Sequence, residues 1–191
     1  MSEHSAKHRA DSSQAAGFSS FEVVASVFSL LTSEPAPLAL AGADLELPGE
    51  HLRLDELQVW LAGPQVSCAS RDAVWRALAG RARSMGPAWV VGAAGVALPS
   101  LRQIAARLVN GCTGDRVEVE AAVLSGFVGA LRHMSLEQRH IEQGLLWTAH
   151  RAGAWRLCGA ASSGRAGPGG RIGARFRAVL PDQVTLARIF G

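Results

Sequence analysis

The sequence predicts an all-α fold, a multi-helix bundle with a disordered N-terminus and a Gly/Arg-rich C-terminal segment. Three observations predict it. Apolar residues recur at spacings of three and four through most of residues 21–158, the period of a helix with one buried face. Ser, Asp and Gly bracket those stripes where helix ends need caps. No window of useful length alternates with period two, the mark of a half-buried strand. With 191 residues, 48% of them hydrophobic, the chain is long enough to bury one core.

Residues 1–20 are Ser-, His- and Ala-rich without periodicity and are expected to be disordered. FEVVASVFSLLTSE (21–34) then places Val24, Val27, Phe28 and Leu31 at helical spacing and ends before Pro35 and Pro37. PAPLALAGADLELPGEH reads as a loop with a short extended piece. LDELQVWLAG sets Leu54, Leu57 and Leu61 on one face, with Gly63 as C-cap. Ser70 is the expected N-cap of the next helix, in which Val74, Trp75, Leu78 and Ala82 face inward. Arg71, Arg76, Arg81 and Arg83 then face solvent.

Pro87 suits a first helical turn, and Pro99 is expected to restart a second helix carrying Leu101, Ile104, Ala105 and Leu108. Asn110 and Gly111 close it. The apolar run AWVVGAAGVAL (88–98) falls short of the roughly 20 residues a bilayer requires, so it reads as a buried core helix. Asp115 with Glu118 forms a capping-box pattern, followed by a seam of Val117, Ala121, Leu124, Val128 and Leu131. Leu124→Ala is expected to cost about 2–5 kcal/mol on that reading. Ser135 with Gln138 repeats the capping pattern ahead of an inward stripe of Ile141, Leu145, Thr148, Ala152 and Trp155. The helical domain thus spans 21–158, with about six or seven helices by periodicity. From 159 to 191 the chain is a basic, Gly-rich linker with a possible terminal helix-turn-helix.

The formal net charge is +3, and all of the positive charge except Lys7 is arginine, which permits a polyanionic partner. Cys68, Cys112 and Cys158 are far apart and odd in number, neither a disulfide framework nor a zinc spacing. They fit a reducing cytoplasm. The polar N-terminus carries no apolar signal core. A cytoplasmic protein without a membrane segment is expected.

Enzyme motifs fail one at a time. GRAGPGGRIG lacks the Lys-Ser/Thr pair of a phosphate loop and follows no strand. There is no nucleophile elbow, no H-E-x-x-H and no cysteine pair. His133 and His140 lie a heptad apart, with His150 more remote, and a solvated or capping role is the simpler reading of each. No catalytic centre, metal or cofactor is expected.

Three stretches bear on DNA. RIGARFRAVLPDQVTLARIFG (171–191) has helix-turn-helix spacing, with Ala174 as the small residue, Val179 in the turn and Val184 as anchor. Gln183, Thr185 and Arg188 would reach base edges or phosphates, and Arg171, Arg175 and Arg177 the backbone. Equally, Arg177 stands where the first helix favours an apolar residue, so a basic tail fits the same text. SLRQIAARLVNGCTGDRVEVEAAV (100–123) fails as a reading head, because Asp115, Glu118 and Glu120 would face phosphates. In the third, LDELQVWLAG followed by SRDAVWRALAGRARS, the second helix is strongly basic, and a solvated helix face is its default reading.

LPSLRQIAARLVNGCTGDRVEVEAAVLSGFVGALRHMSLEQRHIEQGLLWTAHRAG (98–153) resembles the second conserved region of bacterial sigma factors. GDRVEVEAAVLSGFVGALR takes the place of the acidic-capped helix, and LLWTAHRAGAWR that of the last helix with its Trp and basic residues. The likeness extends over roughly residues 50 to 157 to sigma-like regulatory proteins of actinobacteria. It implies polymerase contact by Glu118 and Glu120, and DNA contact by Trp147, Arg151, Trp155 and Arg156. The aromatic run of the last helix is thinned here to two tryptophans. In such relatives, text like PDQVTLARIF precedes a later helix-turn-helix that is missing here, which implies a diverged or truncated C-terminus.

The expected function is a DNA-binding transcription regulator, of a type often found beside the genes it controls, antibiotic-resistance genes among them. The alternative is a protein-interaction module that binds RNA polymerase or another regulator and never reads DNA itself.

Overall fold

Ser19 opens the first helix. Its hydroxyl accepts from the Phe21 N–H (3.2 Å), while its own N–H donates to the Glu22 carboxylate (3.0 Å), a closed capping box. The computed structural model describes residues 19–42, 45, 47–111 and 115–163. Among these lie α1 (Ser20–Leu31), β1 (Ala39–Ala41), β2 (His51–Arg53), α2 (Leu54–Ala62), α3 (Cys68–Ser84), α4 (Pro87–Gly111), α5 (Arg116–His133) and α6 (Ile141–Ser163). The class is all-α. The expected disorder over residues 1–20 falls almost wholly outside the described residues, as does most of 159–191.

Phe21, Val24 and Phe28 bury the inner face of α1. The extended piece foreseen in the following loop is a small antiparallel ribbon, in which Leu40 pairs with Leu52 and is fully buried. Leu54, Leu57 and Leu61 of α2 all enter the core, and Gly63 ends the helix. In α3 the N-cap is Ser67 rather than Ser70. The Ser67 hydroxyl accepts from the Ser70 N–H at 3.0 Å, so Ser70 is the residue being capped and is itself buried. Val74, Trp75, Leu78 and Ala82 are buried, and Trp75 meets Phe127 of α5 edge-on at 6.2 Å.

The arginines of α3 do not simply face water. Arg81 donates to the Ala39 carbonyl and lies 4.7 Å over the Trp89 ring, and Arg71 pairs with Glu142 at 3.2 Å. Arg83 donates to the Leu131 and Met134 carbonyls at the end of α5, and Arg76 to Leu136 just beyond. Arg83 thereby serves carbonyls that the end of α5 leaves without partners.

Pro99 does not restart a helix. α4 runs unbroken through it for 25 residues and packs against all five other helices. Proline has no N–H for the carbonyl four residues back, which is that of Gly95. Gln58 of α2 fills the gap, its Nε2 donating to the Gly95 carbonyl at 2.7 Å. Gly95 also lets α1 close in, because a Cβ there would run into the Phe28 ring. Continuity overturns the length argument made from residues 88–98. Pro87–Asn110 is long and apolar enough to cross a bilayer, and 67% of its apolar stretch is buried inside the bundle.

Asp115 caps α5 by accepting from the Val117 N–H at 2.9 Å. Glu118 turns away from the expected capping box to pair with Arg156 on α6 at 2.8 Å. The seam of α5 is rotated from the expected one. Val119, Glu120, Val123, Phe127, Ala130 and Leu131 are buried, Leu124 and Val128 are half-buried, and Val117 is 47% exposed. α5 is flanked by both α4 and α6, so its buried arc is centred between two neighbours.

α6 starts on a residue from elsewhere. The Asp72 carboxylate of α3 accepts from the N–H groups of His140 (2.8 Å) and Ile141 (2.9 Å), the role expected of Ser135 and Gln138. Ser135 instead accepts from the Glu137 N–H at 3.4 Å. Ile141, Leu145, Leu146, Ala149 and Leu157 are buried, whereas Trp155, expected to end the inward stripe, is 69% exposed. The helix continues to Ser163, past the expected boundary at 158.

Candidate nucleic-acid interface and groove on α6

Small residues set α5 and α6 close together. A Cβ on Gly126 would lie 2.5 Å from the Ala152 Cβ and 3.0 Å from the Thr148 carbonyl oxygen. Close approach and short side chains leave space on the outer side of α6, since nothing bulky on α5 fills it. The result is a groove of about 800 Å³, walled by Ala122 and Ser125 of α5 and by a run of α6 residues from Trp147 to Cys158.

On α6, Trp147, Arg151, Ala154, Trp155 and Cys158 share one side by their spacing of three and four. Thr148, Ala152 and Arg156 border α5. Trp147 and His150 stack nearly parallel, 9° apart with centroids at 5.5 Å. Both are half-buried, and the Trp147 Nε1 and His150 Nδ1 atoms are themselves buried without a hydrogen-bond partner. Burial holds the His150 pKa below its ordinary value, because the charged imidazolium loses solvation there. Arg156, half-exposed, is steadied by Glu118 at the groove's α5 edge.

The four α6 residues singled out from sequence, Trp147, Arg151, Trp155 and Arg156, therefore line one groove. Glu118 borders it through Arg156. Glu120 is placed elsewhere. It is 3% exposed, accepts from the Ser19 hydroxyl and pairs with Arg116 at 2.7 Å, so it ties α1 to α5 and presents no surface for a partner. Arg171, Arg175, Arg177, Gln183, Thr185 and Arg188 lie outside the described residues.

Sequence reasoning passed over His150, judged by its distance from His133 and His140. The signal that finds it is its position three residues after Trp147 on the same helix, the spacing of stacked neighbours. Glu142, at the head of α6, was also missed. Burial pushes its carboxyl above the usual range, opposed by the adjacent Arg71 guanidinium. Among the described residues no group of three or more His, Cys, Asp or Glu is placed to hold a metal ion.

No family model, curated protein or solved structure matches this chain.

Proposed function

We propose that this is a DNA-binding regulatory protein that contacts nucleic acid through the outer side of α6. One observation carries the reading: two indoles and two guanidiniums, Trp147, Arg151, Trp155 and Arg156, are gathered on one groove within ten residues of helix. Guanidinium groups bind phosphate oxygens with fixed geometry, and an exposed indole such as Trp155 supplies a stacking or sugar-packing surface. The net charge of +3 favours a polyanion. α3, the other arginine-rich helix, is a weaker candidate, because its one tryptophan, Trp75, is buried in the core and offers no exposed ring. A regulator of this kind works in the cytoplasm.

The test is a salt series of duplex DNA binding by the full chain. Each phosphate contact steepens the fall of log affinity with log salt by about 0.9. Arg156→Ala is expected to flatten the slope by about that amount. Trp155→Ala should weaken binding and leave the slope unchanged, as an uncharged contact would. Absence of DNA binding, or both variants binding like the parent chain, rejects the reading.

A further inference from the structure

We propose that the α6 groove is the docking site for residues 180–190 of this same chain, LPDQVTLARIF, which lie in it as an amphipathic helix. The groove supplies the surface. Its walls are small and apolar, Ala122, Ala152 and Ala154 among them, and its lining includes the Trp155 indole, 69% exposed. Short side chains on α5 and α6 leave a trough into which the side chains of a third helix can settle, as amphipathic helices do in apolar grooves. An exposed apolar surface of this kind on a helical bundle marks an interaction site.

The occupant is read from the chain beyond Ser163. Residues 180–190 lie outside the described residues, and their sequence carries the pattern such a groove requires. Leu180, Val184 and Ala187 fall at i, i+4 and i+7, with Leu186 and Phe190 one turn apart beside them. Thr185 and Arg188 fall on the opposite side, and Pro181 suits a first helical turn. Asp182, one turn ahead of Leu186, is the only acid between 159 and 191, and the groove carries Arg151 and Arg156. The tether has a matching length. The groove reaches Cys158, and α6 continues to Ser163, about 7.5 Å further along its axis. Residues 164–179 follow, rich in glycine. A Gly-rich chain of that length has a root-mean-square span of about 20–24 Å, enough to return residue 180 over a groove that runs about 17 Å along α6. A tether matched to its span gives an effective concentration of about 1 mM. A contact of only about 0.1 mM affinity is then occupied about ten to one, and a second copy at micromolar concentration does not displace it.

The docking is independent of DNA contact by Trp155 and Arg156, and the experiment keeps the two apart. Cys158 lines the groove, whereas Cys68 is exposed on α3 outside it, so one chain carries a thiol on each kind of surface. The full chain is alkylated with N-ethylmaleimide in the absence of DNA, and the rate at each cysteine is read by mass spectrometry. Val184→Asp combined with Phe190→Asp is expected to raise the Cys158 rate about tenfold and to leave Cys68 unchanged. Thr185→Asp combined with Arg188→Asp puts the same charges on the far side of the segment and should leave Cys158 as slow as in the parent chain. Equal Cys158 rates in the parent and the first variant, or the same increase in the second, overturns the proposal. Protection of Cys158 that grows between about 1 and 100 µM protein assigns the groove to a second copy and overturns it equally. Duplex affinity of the parent and the first variant reports separately on the DNA reading: tighter binding by the variant places DNA in the uncovered groove, and unchanged affinity places it elsewhere.

Discussion

Gln58 on α2 donates to the Gly95 carbonyl on α4 at 2.7 Å, and that carbonyl is the acceptor that Pro99 leaves unserved. Removing the donor strands a carbonyl, which costs about 1–3 kcal/mol. Gln58→Leu should therefore lower the urea-unfolding free energy by that amount. In a Pro99→Ala background the restored N–H takes over the carbonyl, and the same substitution should cost much less. A double-mutant cycle with no coupling would show that the side-chain bond does not compensate the proline.

Two glycines of α5 are expected to respond in opposite directions. Gly126→Ala would press a methyl into Ala152 and the Thr148 carbonyl, and overpacking of this kind costs about 1–3 kcal/mol. It would also push apart the helices that wall the groove. Nothing lies within 4 Å of a Cβ on Gly129, so Gly129→Ala should stabilise by about 0.5–1 kcal/mol through helix propensity. Thermal unfolding of both variants checks the pair.

Asp72→Ala removes the acceptor from two amides at the head of α6. Loss of an N-cap acceptor costs about 0.5–2 kcal/mol, and the upper half of that range is expected because two N–H groups lose their partner. Ser135→Ala should be close to neutral. A larger effect at Ser135 than at Asp72 would restore the local cap expected from sequence.

Two groups give stability opposite dependences on pH. The pKa of His150 is depressed in the fold, so its contribution is present above the unfolded value of about 6.5 and is lost as pH falls below it. The pKa of Glu142 is raised, so its contribution is fully present below the unfolded value of about 4.3 and is lost as pH rises through the higher folded value. Denaturant midpoints between pH 7.5 and about 4 should show His150→Phe removing a loss on acidification and Glu142→Gln removing a gain. Reversed signs would contradict both environments.

Much of the fold was legible where apolar contrast is strong. Leu54, Leu57 and Leu61, and Val74, Trp75 and Leu78, stand among polar neighbours and were read onto the correct faces. The face of α5 was misread, since Ala121, Ala122, Gly126, Gly129 and Ala130 blur its stripe, and a helix wedged between two others buries a wide arc. Phe127, not Leu124, is its anchor: Phe127→Ala should cost about 3–5 kcal/mol, and Leu124→Ala, half-buried, less than the 2–5 expected from sequence. Pro99 and Ser135 misled because the groups that decide their roles, Gln58 and Asp72, are remote in sequence. The α6 site was legible as a set of Trp and Arg positions. Its orphaned polar atoms were not, because orphaning depends on what every neighbour fails to offer.

The bond between Asp72 and the head of α6 spans 69 residues, which bears on the order in which the chain acquires structure. The first turn of α6 is anchored by a residue synthesised well before it. Such long-range closure slows folding relative to a string of local helix pairs. It also makes α3 a template against which the last described helix is registered. Fragments that begin after α3 should therefore show frayed helix at Ile141, where the intact chain holds a closed first turn.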